Sequence, residues 1–163
     1  MRALREAALS VACHNIGYGE SGRNNDGKFI EAMGGIPGEE WCALFAGYCY
    51  RRACRHLELP LDTVDWCYRR VMRIETSAKR LVRQMGASVW GIRYTDTALV
   101  LPGDLIAWHR GKLGWQGHVG IVEDVRDGIV HTIEGNVGAF PARVRRLRHD
   151  VSKERFYTFA GLR

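Results

Sequence analysis

Three short stretches carry side chains suited to acyl-transfer chemistry. Cys42 opens an apolar run, Trp41-Cys42-Ala43-Leu44-Phe45. His118 opens a run of small residues, Gly117-His118-Val119-Gly120-Ile121-Val122. Glu134 and Asn136 close the next one, Ile133-Glu134-Gly135-Asn136. A thiol, an imidazole and a carboxylate or amide are a nucleophile, a base and a group that orients the base. At a helix start, the positive end of the dipole and unpartnered backbone N–H groups favour a thiolate. Those N–H groups also suit the oxyanion of an acyl-transfer intermediate.

The pattern around these residues predicts the elements that hold them. Cys42, Ala46, Cys49 and Ala53 fall on one stripe of a helix running from about Glu39 to His56. Glu39 and Glu40 are expected in its first turn, where carboxylates suit the dipole. Along a strand, His118, Gly120 and Val122 share a face, and the glycine leaves room beside the imidazole for a helix terminus or substrate. Thr132, Glu134 and Asn136 share a face, with His131 and Ile133 on the other. This parity selects His118 over His131 as the base and leaves Glu134 and Asn136 as alternative orienting groups. His14, His56, His109 and His149 have no comparable context, and Cys13, Cys49, Cys54 and Cys67 read as core thiols.

Elsewhere, residues 2–15 read as an amphipathic helix, 17–27 as a loop, 28–33 as a short helix and 61–86 as helical with a basic solvated face. From Pro102 onward the period changes to that of strands, at 105–108, 118–122, 129–133 and 155–160. Asp127-Gly128 marks a hairpin turn. Helices first and a meander afterwards predict an α+β fold, with N-terminal helices packed on a C-terminal antiparallel sheet. The 163 residues suit a single domain.

The net charge of +6 favours an anionic partner. Arg143, Arg145, Arg146, Arg148, Lys153 and Arg155 cluster near the end, either as a solvated face or as an attraction to an anionic wall or envelope. No nucleic-acid motif accompanies them, and none is expected as a partner. The five cysteines form no CxxC pair and no metal spacing. Asn24, Asn25 and Asp26 lack the alternating acidic ligands of a calcium loop, so no metal or other cofactor is expected. No apolar run reaches membrane-spanning length, and stable membrane insertion is not expected. The N-terminus lacks the pattern of a cleaved secretory signal, which places synthesis in the cytoplasm.

The Trp41–Phe45 segment, Pro102-Gly103-Asp104-Leu105-Ile106, Gly117–Val122 and Ile133–Asn136 together resemble the CHAP domain, the cysteine, histidine-dependent amidohydrolase/peptidase family of the NlpC-like and papain-like group. The loop Glu20–Gly27 is similar to one in some bacterial and phage members. The resemblance implies a papain-like fold and cleavage of an amide bond in peptidoglycan, at the sugar–peptide amide or within the stem peptide or cross-bridge. It implies Cys42 as nucleophile, His118 as base, and Glu134 and Asn136 as orienting groups. Trp41 and Trp115 are expected to contact substrate. Two positions depart from the family pattern: Glu40 stands where proline is frequent, and Trp41 where a glutamine oxyanion donor is frequent.

The reading implies a phage endolysin released by a holin, or an antibacterial effector delivered by a type VI-like machine. Either acts in the periplasm or cell wall; an immunity protein or secretion component is then a further partner. Two alternatives remain: a protein-directed cysteine peptidase or deamidase toxin, and a non-catalytic basic wall-binding module.

Overall fold

A computed structural model describes residues 1–67 and 77–163. Four α-helices come first: α1 (Arg2–His14), α2 (Lys28–Ala32), α3 (Cys42–His56) and α4 (Ser77–Ala87). Six strands follow: β1 (Gly91–Tyr94), β2 (Leu105–His109), β3 (Gly117–Arg126), β4 (Ile129–Val137), β5 (Arg143–His149) and β6 (Phe156–Leu162). They form one antiparallel sheet in the order β1-β6-β2-β3-β4-β5. The fold is therefore α+β, helices before sheet. Of the expected helix over 61–86, residues 61–67 form a 3-10 helix, Ser77–Ala87 form α4, and 68–76 lie outside the described residues. No described helix is long and apolar enough to cross a membrane.

Helix α3 is the centre of the packing. It touches α1, α4, the 3-10 helix, β3 and β4. Its stripe of small residues, Cys42, Ala46, Cys49 and Ala53, is buried, and Leu4, Ala8 and Ala12 of α1 join the same core. The helix-facing side of the sheet contributes Leu105, Ala107, Val119, Ile121, Ile133 and Val144. The other side carries a smaller core of Ile106, Trp108, Val122, Val130 and Phe159. Alternation along the strands divides the residues between these two layers.

Two buried carboxylates tie distant segments together. Asp104 accepts from the Leu101 N–H and from both Arg163 guanidinium nitrogens at 2.9 Å, and the Tyr94 hydroxyl donates to it. Glu20 accepts from the N–H groups of Asn25 and Ala142 and from the Trp41 indole. The second set fixes the residue just before α3 against the loop between β4 and β5.

Three elements differ from the sequence expectations. Helix α3 begins at Cys42, so Glu39 and Glu40 precede it; the left-handed turn at Gly38 (φ 88°) and the non-helical Trp41 (φ −119°, ψ 11°) delay its start. Strand β1 was not anticipated. The basic cluster at Arg143–Arg148 is itself a strand, with Val144 buried and its arginines at the surface.

Close docking of α3 depends on Gly135. A Cβ there would lie 2.7 Å from Phe45 Cβ and 2.9 Å from the Trp41 ring. Gly135→Ala should therefore cost about 1–3 kcal/mol, the range for overpacking a core. Urea unfolding with an unchanged m-value would show it; an unaltered midpoint would remove this constraint.

Candidate active site

The first turn of α3 and the first residue pairs of β3 bring Cys42 and His118 together. Cys42 is buried at 3 % exposure, and its sulfur interacts with the His118 ring. The residue before α3, Trp41, supplies no side-chain cap to the helix's leading N–H groups. The other face of the ring system is set by β2, where Trp108 sits in register with His118.

Glu134 reaches His118 from β4. His118 Nε2 donates to Glu134 Oε2 at 2.7 Å. Because that nitrogen is committed to the carboxylate, Nδ1 is the one left to serve Cys42. The parity expected from sequence places both residues on one face of the sheet. The space left by Gly120 is used differently from the expectation: a Cβ at Gly120 would lie 2.6 Å from Glu134 Cγ, so the glycine makes room for the carboxylate side chain. Of the two candidate orienting groups, geometry places Glu134 against the imidazole. Asn136, in the left-handed region at φ 62°, follows a strand irregularity and lines the cleft beside His118.

Glu134 has no exposure and accepts two further bonds at Oε1: from Thr132 Oγ1 at 2.5 Å and from His149 Nε2 at 2.6 Å. Sequence reasoning missed His149. The available signal was Leu147 and His149 at i and i+2, inward between outward arginines; the density of charge around them hid the alternation.

The electrostatics follow from this geometry. Burial alone would drive the proton off His118, but the Cys42 sulfur and then Glu134 outweigh it, raising the ring from 6.5 to about 9. Burial would likewise neutralise Glu134; the donors on His118, His149 and Thr132 reverse this and hold it at about 2, below its ordinary 4.5. Proton binding at His118 therefore stabilises the fold fully below about pH 6.5 and ceases to do so as pH passes about 9. The Glu134 contribution is present above about pH 4.5 and is lost as pH falls through about 2. Burial pushes the remaining thiols up, to about 12 at Cys67.

A cleft of about 490 Å³ opens over His118, lined by Glu39, Glu40, Arg110, Trp115, Gln116 and Asn136 among others. Trp115 is 47 % exposed on its wall. Trp41 is not on that wall. It is fully buried, its indole donates to Glu20 Oε1 at 3.3 Å, and its ring packs edge-on to Phe29. The expected substrate contact at Trp41 is corrected accordingly: this side chain wedges the start of α3 in place.

The raised pKa of His118 depends first on Cys42. Cys42→Ala should therefore move the His118 titration, followed by NMR of the ring protons, down from about 9. An unmoved midpoint would separate the two groups.

Comparisons with known proteins bear on the fold and the family. The solved structure of Ly7917 superposes with a TM-score of 0.55 at 16 % identity, covering 97 % of this chain and 62 % of that one. The chain thus spans under two thirds of that protein's length, and at this identity the likeness speaks for the fold alone. No curated protein matches the chain. The family model for the CHAP domain matches residues 34–136, a stretch that holds Cys42, His118, Glu134 and Asn136. The chain belongs to the CHAP domain family.

Proposed function

We propose that this protein is a cysteine amidohydrolase or peptidase that cleaves an amide bond in peptidoglycan. The observation that carries the reading is the convergence of Cys42, His118 and Glu134 beside an open cleft, in a chain of the CHAP family. The cleft supports a peptide-bearing substrate. Glu40 offers a carboxylate to an amine, Arg110 offers a guanidinium to a carboxylate, and the exposed Trp115 offers an apolar surface to either a sugar or a stem peptide.

The reaction follows from the geometry. Cys42 as thiolate attacks the amide carbonyl carbon. The oxyanion forms against the uncapped N–H groups of α3, the Cys42 N–H first among them. Protonated His118 delivers its Nδ1 proton to the departing amine, leaving a thioester. Neutral His118 then takes a proton from water, which attacks the thioester and releases the acid, restoring thiolate and imidazolium. Throughout, Glu134 accepts the Nε2–H bond and keeps the ring in one tautomer and orientation. Delivery to the wall, by a holin or a secretion machine, belongs to the same proposal; so does an immunity partner in the effector case.

Incubation with purified sacculi, followed by mass analysis of the soluble fragments, tests this reading. Wild type should release new amine and carboxyl ends; Cys42→Ala and His118→Ala should lower release about 1000-fold or more. Identical fragment profiles from wild type and Cys42→Ala would reject wall hydrolysis. Binding to sacculi without release would point to a wall-binding module, and cleavage of added proteins alone to a protein-directed peptidase.

The kcat/KM profile gives a second test, because it reports groups in the free enzyme. It should fall on the alkaline side with a midpoint near 9, where His118 loses the proton the leaving amine needs. A profile still rising at pH 10 would contradict His118 as the acid.

A further inference from the structure

The hydrogen-bonded chain does not stop at Glu134. On the side away from His118, His149 Nε2 lies 2.6 Å from Glu134 Oε1, and His149 Nδ1 lies 2.9 Å from Glu154 Oε1 and 3.0 Å from Oε2. Ionised carboxylates only accept, so the ring between them is placed to donate from both nitrogens, and against the effect of burial Glu134 and Glu154 raise its pKa and favour the imidazolium. It is 9 % exposed and rests on the Trp108 ring, with centroids 4.4 Å apart. The same indole lies 6.0 Å from the His118 ring. The groups facing His149 are thus Glu134 from β4, Glu154 from the segment before β6 and Trp108 from β2. Its neighbours Asp150 and Lys153 pair with each other.

We infer that His149, held by Glu154, is a positioning residue for the proposed hydrolysis: with Thr132 it pins one carboxylate oxygen of Glu134, so that the other is aimed at His118 Nε2. The inference rests on the proposed function for its kinetic consequence. A carboxylate can rotate about its last bond and can swing its two oxygens between partners. With Oε1 held by two donors at 2.5 and 2.6 Å, the aim of Oε2 at 2.7 Å is fixed. A buried cation beside Glu134 also offsets the cost of keeping that carboxylate charged at zero exposure. Both His149 and Glu154 lie outside residues 34–136, the stretch matched by the family model.

The experiment compares wild type with His149→Ala, His149→Gln and Glu154→Gln. The glutamine at 149 keeps a donor for Glu134; the alanine does not. On soluble peptidoglycan fragments, His149→Ala should lower kcat about 10-fold or more with KM within twofold, the size of effect that orienting partners have on groups they hold. His149→Gln should recover to within about threefold of wild type, and Glu154→Gln should fall between. The low-field ring N–H resonance of His118, visible in wild type at neutral pH, should be lost or broadened in His149→Ala and retained in His149→Gln. A folded His149→Ala with kcat within twofold of wild type overturns the inference, however much its Tm has dropped. If His149→Ala does not fold, His149→Gln and Glu154→Gln with equal, wild-type kcat overturn it in the same way. If wild type itself cleaves no peptidoglycan, the function proposal fails, and the His118 resonance decides this one alone: unchanged in every folded variant, it rejects the positioning role.

Discussion

A carboxylate without solvent exposure must be surrounded by donors or it will not stay charged. Glu134 meets that requirement with an imidazole on one oxygen and a hydroxyl and a second imidazole on the other. Much of the sheet is arranged to allow this. Gly120 gives up its side chain to make room, Thr132 supplies a hydroxyl from the same strand face, and β5 carries His149 inward among outward arginines. Gly135, one residue along, makes the opposite face thin enough for α3 to dock. Two adjacent positions of β4 therefore serve the two layers separately: Glu134 holds the His118 imidazole, and Gly135 admits the helix that bears Cys42.

The division between layers explains what was legible in the sequence. Helix α3 was readable because its small residues recur with a helical period, and β3 and β4 were readable because they alternate and are joined by Asp127-Gly128. Both turn residues take positive φ, 52° and 76°. Parity then gave His118 and Glu134 a common face, since a strand allows only two. What parity could not resolve was the choice between Glu134 and Asn136. That choice was made by an irregularity in the β4–β5 pairing after Glu134, which no period encodes.

Other misreadings have a shared origin. Trp41 sits beside Cys42 in sequence, yet its indole turns into the core to meet Glu20, a partner 21 positions away. Glu39 and Glu40 were placed in a helix whose start the Gly38 turn postpones. His149 shows little context along the chain because most of it is distant: Glu134 and Trp108 arrive from separate strands, and only Glu154, five residues on, is near in sequence. Adjacency along the chain marked residue types suited to chemistry. It did not identify which residues support them.

The cleft and the polar chain behind it differ in one respect that bears on how such a protein can change. Glu40, Arg110 and Trp115 come from loops, where sequence change is tolerated better than in the sheet. The interior set has no such freedom. A larger residue at 120 displaces Glu134, loss of Glu134 takes a hydrogen-bond partner from two imidazoles, and loss of Thr132 or His149 leaves Oε1 with a single donor in a place closed to solvent. Viable variation there requires several simultaneous replacements. The groove can thus be altered one residue at a time, while the polar set beneath it changes only as a group.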